Sequence, residues 1–147
     1  MGFFNSVNIA ATGLTAQRLR MDVIAENIAN ANTTRTAEGG PFRRRSVVFE
    51  EIRDNTPFSS IFNDTAARHG TGVRVSRIAV DDSPGSLVYD PSHPDANEDG
   101  YYRMPNVNIV EEMVNMISAS RSYEANITSM NSFRTITQRT LEIGRGN

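Results

Sequence analysis

The segment Asp95-Ala96-Asn97-Glu98-Asp99-Gly100 repeats the first half of a calcium-binding EF-hand loop, D-x-N-x-D-G. In such a loop alternating oxygens ligate the ion, the glycine makes the sharp turn, and a bidentate Glu at position 12 completes the shell. Here position 12 is Asn106, position 9 is the cation Arg103, and Pro105 blocks an exiting helix. Pro91 and Pro94 likewise bar an entering helix. The residues therefore read as a tight acidic Asx-type turn. A weak calcium regulator built on Asp95, Asn97 and Asp99 stands as an alternative.

Other chemistry finds less support. The chain has no Cys, and all fifteen of its basic residues are Arg. Disulfides, thiolate catalysis, Cys-ligated metals, Schiff-base lysine chemistry and the P-loop lysine are excluded. The two histidines, His69 and His93, sit in loops without metal-ligand spacing or a nucleophile motif. Arg43-Arg44-Arg45 is too short a basic run, in a chain of net charge −2, to signal nucleic acid. It is better suited to pairing bidentately with the acidic stretch 81–99, in cis or on a neighbour. No catalytic, cofactor-binding or metal-binding residue is assigned, and the chain reads as a non-enzyme.

The elements that must carry any function are periodic and long. Val7, Leu14, Met21 and Ile28 fall seven apart, with Ala10, Gln17, Ile24 and Ala31 three residues after each. This a/d pattern predicts a helix from about Asn5 to Asn32, interrupted on its apolar face only by Gln17. After Pro105, Asn108 with Glu111 reads as an N-cap and its partner. Met113, Met116, Ser120, Tyr123, Ile127, Met130, Arg134, Thr137 and Leu141 then recur at spacings of three and four, until Gly144 and Gly146 end the pattern. The first helix carries few charges, and both ends of the chain sum to zero, whereas residues 35–45 sum to +3 and residues 46–106 to −5. A solvated coiled coil would carry charge at its flanking positions; the first helix looks built to be surrounded.

Between the helices, short β segments are expected at Arg45–Ile52, at Val73–Val80 with a bulge at Ser76-Arg77, and at Leu87–Tyr89. Ser83-Pro84-Gly85 reads as a turn and residues 53–71 as a loose loop. The fold class is α+β: terminal helices at 1–34 and 106–147 form a coiled-coil inner domain, and 35–105 a small β-rich insert. Hydrophobic residues are only 38%, and Asn, Ser and Thr are abundant in their place, which fits an ordinary domain with an Asn-rich surface or, more specifically, packed polar contacts between subunits. No apolar run is long enough for a membrane span, and no basic stretch precedes an apolar one as in a cleaved signal.

The run Asn27-Ile28-Ala29-Asn30-Ala31-Asn32-Thr33-Thr34 resembles the N-I-A-N-x-N-T signature of bacterial flagellar rod and hook proteins. Ser6-Val7-Asn8-Ile9-Ala10-Ala11-Thr12-Gly13-Leu14, and the C-terminal run from Asn106-Val107-Asn108-Ile109-Val110-Glu111-Glu112-Met113 to Ser122-Tyr123-Glu124-Ala125-Asn126, are also typical of that group. The short length, Gly39-Gly40-Pro41-Phe42-Arg43-Arg44 and the stretch Asp90 to Tyr101 make the chain most similar to the proximal-rod members of the flagellar basal-body rod family. Thr34-Arg35 stands where longer members carry a small-Gly-aromatic step.

The resemblance implies a structural subunit, exported unfolded without a cleaved signal through the flagellar type III export apparatus. Such subunits assemble with copies of themselves and other rod subunits into the helical tube that crosses the periplasm. Their terminal helices are flexible in the free monomer and order on assembly. No nucleic acid, small-molecule substrate, cofactor or membrane insertion is implied. The expected assembly interface is Val7, Leu14, Met21, Ile24, Ile28, Met113, Met116, Tyr123, Ile127, Met130 and Leu141, with Asn27, Asn30, Asn32 and Thr33 as family-motif positions. A soluble helical adaptor, fully helical as a dilute monomer, is the second alternative.

Overall fold

The computed structural model describes residues 3–52 and 71–145. His69 and all of the expected 53–71 loop except Thr71 lie outside the described residues. The first helix, α1, spans Phe3–Ala29 and stops short of the expected Asn32. The Asn30 N–H still reaches Glu26 O at 3.1 Å, but Ala31 N–H takes Ile28 O at 3.3 Å and Thr33 N–H takes Asn30 O at 3.0 Å. Asn30 Nδ2 also donates to Glu26 O at 2.9 Å. An Asn side chain that competes for helical carbonyls in this way ends the helix.

The last helix, α2, spans Ile109–Arg145, 37 residues. Asn108 caps it as expected, its Oδ1 accepting from Val110 N at 3.0 Å and Glu111 N at 3.4 Å. The Glu111 carboxylate lies 3.5 Å from Arg44 Nη2. The helix continues through Gly144, where the pattern predicts its end.

The two helices pack antiparallel. Asn27 on α1 meets Glu112 on α2, and fourteen residues back along α1 Gly13 meets Asn126, fourteen residues forward along α2. A Cβ on Gly13 would lie 3.0 Å from Asn126 Nδ2, so the glycine allows the close approach.

The middle of the chain forms two separate antiparallel hairpins. In the first, β1 (Arg45–Glu51) pairs with β2 (Val73–Val80). Val48 pairs with Arg77 and Phe49 with Val75, leaving Ser76 as the extra residue of a bulge where the phase slip predicts one. This hairpin lies against α1. Gly72 leads into it at a φ of +137°, where any Cβ would strike the Thr12 side chain; the next residue, Val73, donates its N–H to Thr12 Oγ1 at 3.2 Å.

The second hairpin joins β3 (Leu87–Tyr89) to β4 (Tyr101–Arg103). Sequence reasoning missed β4, because three residues beside a turn and Pro105 are too few for alternation to register.

The core is small. Among the described residues the fully buried hydrophobics are Ala10, Ala16, Val23, Ile24, Ala31, Phe42 and Ala119. Four of these seven are alanine, so the interior contributes little apolar burial for a chain of this length.

Candidate assembly site and its anchor

The anchor is a buried polar junction where both helices meet the insert. Asn27 is wholly buried and Glu112 is 1% exposed. Asn27 Nδ2 donates to Arg45 O at 2.7 Å and to Glu112 Oε2 at 2.8 Å, and its Oδ1 accepts from Arg45 N at 2.9 Å. The amide therefore pairs with the first residue of β1 as another strand would, while its second N–H reaches across to α2. Glu112 Oε1 accepts from Arg44 Nη2 at 2.7 Å, Arg44 Nε at 2.9 Å and Asn115 Nδ2 at 3.2 Å.

Burial pushes the Glu112 carboxyl up, but the bonds from Asn27 and Arg44 and the Arg44 charge outweigh it, leaving Glu112 below the ordinary glutamate value. The Arg44 guanidinium is raised, chiefly by its hydrogen bonding to Glu112. Asn27 and Glu112 are thus both satisfied, as a low-dielectric setting requires.

Arg43-Arg44-Arg45 behaves differently from expectation. Only Arg43 pairs with the acidic stretch, contacting Asp82. Arg44 turns to Glu112 on α2, and Arg45 reaches Glu26 on α1 at 2.8 Å while stacking 5.5 Å from the Phe42 ring centre. The run enters β1 between the end of one helix and the start of the other, so its side chains reach three different elements. Asn106, which the sequence marks as a failed calcium ligand and as the start of the C-terminal run, is a second junction. Its Oδ1 accepts from Arg44 N at 2.7 Å, and its Nδ2 donates to Asp81 O, Ser83 O and Ser83 Oγ.

The calcium-like segment forms the expected Asx turn. Asn97 Oδ1 accepts from Tyr101 N at 2.8 Å and Asp99 N at 3.1 Å, and Gly100 adopts a φ of +80°. Asp95 accepts from Thr34 Oγ1 at 2.8 Å and lies 3.7 Å from Arg35 Nη1. Two of the three candidate ligands are thus occupied within the chain, and Thr34 and Arg35 are what hold Asp95. His93 stacks on Tyr102 at 4.0 Å, nearly parallel.

The motif positions divide by role. Asn27 is the anchor; Asn30 and Thr33 shape the helix end, bonded at 3.2 Å, and Thr33 O accepts from Phe42 N at 3.0 Å. Asn32 is exposed.

The expected interface residues divide too. Ile24 is buried, and Val7, Leu14, Met21, Ile28, Met116, Tyr123 and Met130 are half-buried. Met113, Ile127 and Leu141 are exposed. On α2 the side turned to α1 is marked by Glu112, Met116, Ala119, Tyr123, Asn126 and Met130, one residue out of step with part of the predicted stripe. Small and polar residues therefore alternate with Met116, Tyr123 and Met130 along this side, while Met113, Ile127 and Leu141 stand outside it. Gln17 fits this pattern, its Oε1 buried with no hydrogen-bond partner among the described residues.

Two long helices are thus closed by a polar anchor, with large apolar residues exposed along α2. Comparison with known proteins gives the class first. The family described as "Flagella basal body rod protein" matches residues 7–35, and "Flagellar basal body rod FlgEFG protein C-terminal" matches residues 98–143. Together they span the bulk of both helices, and the class is that of flagellar rod-type proteins.

Over 99% of its length the chain is similar to flagellar basal-body rod proteins FlgC, in each case covering the whole relative. It is 51% identical to that of Borreliella burgdorferi, 46% to that of Bacillus subtilis and 39% to that of Salmonella typhimurium. The chain belongs to the FlgC family of flagellar basal-body rod proteins. That family is structural, and its place is the flagellar basal body.

Proposed function

We propose that this chain is a subunit of the proximal rod that polymerises by helix packing into the axial drive shaft for motility. Residues 1–34 and 106–147 form its coiled-coil inner domain and 35–105 its insert. One observation carries the reading: nine large apolar side chains of α2 are outside. Ile109, Val110, Met113, Val114, Ile117, Ile127, Ile136, Leu141 and Ile143 along α2 are all exposed, Ile143 by 80%. So much exposed apolar surface on a small chain marks an interaction face. Contacts that join unlike surfaces of successive subunits propagate a tube instead of closing a dimer.

Export unfolded through the flagellar type III apparatus, without a cleaved signal, and passage of the assembled rod across the periplasm complete the proposal. A cysteine-free chain with a small core suits such threading. Among the described residues, no helix is long and apolar enough to cross a membrane.

The test is the helicity of the free chain. A seam in which alanine, glycine and polar residues interrupt the larger apolar ones buries little surface, so circular dichroism of the dilute monomer should show low helicity that rises on assembly with other rod subunits. Full helicity in the dilute monomer, unchanged by partners, would favour the helical adaptor instead.

A further inference from the structure

The first strand, β1, is paired along one edge only. Asp81 N donates to Arg44 O at 2.8 Å and Ile52 N to Gly72 O at 2.9 Å. By the alternation of an antiparallel ladder, Arg45, Val47 and Phe49 therefore turn their backbone groups away from β2. Asn27 takes the first of these outward rungs, its amide bonded to both the N–H and the carbonyl of Arg45. The outward groups of Val47 and Phe49 have no partner among the described residues.

Open strand edges are ordinarily blunted or covered. On β2 the outer edge is blunted, because the bulge at Ser76 interrupts it and it carries Arg74 and Arg77. Beyond Asn27 the edge of β1 has no bulge and no proline. It opens instead onto a cleft of about 280 Å³ between α1, β1 and α2.

Charge in this cleft is unevenly matched. Three arginines line it, Arg20, Arg44 and Arg45. Glu112 takes Arg44 and Glu26 takes Arg45. Arg20 is half-buried and has no acidic partner among the described residues. Its neighbours one turn away on α1, Ala16, Gln17, Val23 and Ile24, offer none. Arg20 lies about 10 Å back along α1 from Asn27, and Phe49 about 13 Å on along β1 from Arg45. The unpaired cation and the open rungs thus border one cleft.

We propose that β1 takes a third strand: in the assembled basal body an extended segment of an acidic partner chain lies along Val47 and Phe49, with a carboxylate on Arg20. Backbone bonds hold such a segment and the charged contact selects it. Asn27 already fills the first rung, so the added strand begins where its amide leaves off. The inference rests on the rod-subunit reading only for where the partner is met.

Amide exchange in isolated basal bodies, read residue by residue by mass spectrometry, tests it. The Val47 and Phe49 N–H groups should exchange at least about tenfold more slowly in the unmodified chain than in Arg20→Glu. Exchange at Ser46, whose backbone faces β2, should be the same in both. Val47→Pro removes one outward donor and spares the ladder to β2, so it should also release Phe49. If Arg20→Glu is not incorporated, Arg20→Gln should give partial release.

Val47 and Phe49 amides that exchange in the unmodified chain as fast as in an unstructured peptide overturn the proposal and leave the rod reading standing. Protection that survives the loss of the Arg20 charge also overturns it, since the occupant would then not be acidic. So does Phe49 protection that survives Val47→Pro, which would mean burial without an added strand. Absence of the unmodified chain from basal bodies would instead refute the rod reading itself.

Discussion

Asn27 and Glu112, the only polar side chains fully buried among the described residues, are bonded to each other at 2.8 Å across the helix pair. The bond sets the register of α1 against α2, because sliding either helix by one residue would leave both groups buried and unpaired. An isolated buried polar residue fixing helix register is a known use of such groups, and here the same amide also holds the backbone of β1.

Replacing this anchor gives the first prediction. Asn27→Ala removes three hydrogen bonds at a buried site, a loss on the order of 2–4 kcal/mol. Amide exchange at the Arg45 N–H, measured in assembled material, should accelerate strongly while exchange at the middle of β2 changes less. Protection at Arg45 equal to that of the unmodified chain would contradict the assigned role.

Acid should loosen the same junction. Glu112 is held below the ordinary glutamate value of 4.5, so its contribution is complete above that value and is lost as the pH falls through the lowered one. Asp81 and Asp90 are lowered in the same direction by hydrogen bonds from Ser83 and Ser92, but Asp81 is exposed and Asp90 only half-buried. Glu112→Gln should therefore flatten much of the acid limb of a stability-against-pH curve, at a lower plateau near neutrality. Parallel curves for the two proteins would argue against it.

At Gly13 the sign depends on size. Gly13→Ala places a methyl 3.0 Å from the flexible Asn126 amide, a squeeze that a gain in helix propensity of about 1 kcal/mol largely offsets. Gly13→Leu has no such room, and overpacking should cost about 1–3 kcal/mol. Thermal melts of assembled rods should separate the two substitutions clearly.

Apolar positions outside and beside the seam test assembly itself. Ile127 is exposed in the single chain, so Ile127→Asp should change stability by no more than about 0.5 kcal/mol. It should nonetheless abolish swimming while export of the subunit continues. Leu14→Asp should likewise abolish swimming. Normal motility in either variant would count heavily against helix packing as the basis of assembly.

The calcium alternative makes the opposite prediction to the Asx turn. With Asn97 and Asp95 already engaged within the chain, calorimetric titration with millimolar Ca²⁺ should release no binding heat. Saturable heat that disappears with Asp99→Asn would revive the cation site.

Much of this architecture is legible in the residues. Heptad spacing marks both helices, Asn108 marks the start of α2, and a slip in alternation marks the bulge at Ser76. Less legible is which side of each helix turns inward. A periodicity reading assumes that large apolar residues face the partner helix within the chain, but here Ala119, Asn126 and Glu112 do so while Met113 and Ile127 face out. A single sequence does not distinguish a stripe meant for its own chain from one meant for a neighbour. The junction at Asn106 escaped for a related reason: its bonds link backbone groups far apart in sequence, and no local pattern announces them.

The position of the anchor has a mechanical consequence. Arg44, Asn27 and Glu112 join the insert to both helices at one point, through short bonds to charged and buried groups. A sideways push on the insert is therefore met by directional bonds, not by sliding apolar surfaces, and passes to the helix pair with little slack. For the proposed rod subunit, that stiffness would couple the insert to the helix pair, and this chain places it where the two helices and the first strand converge.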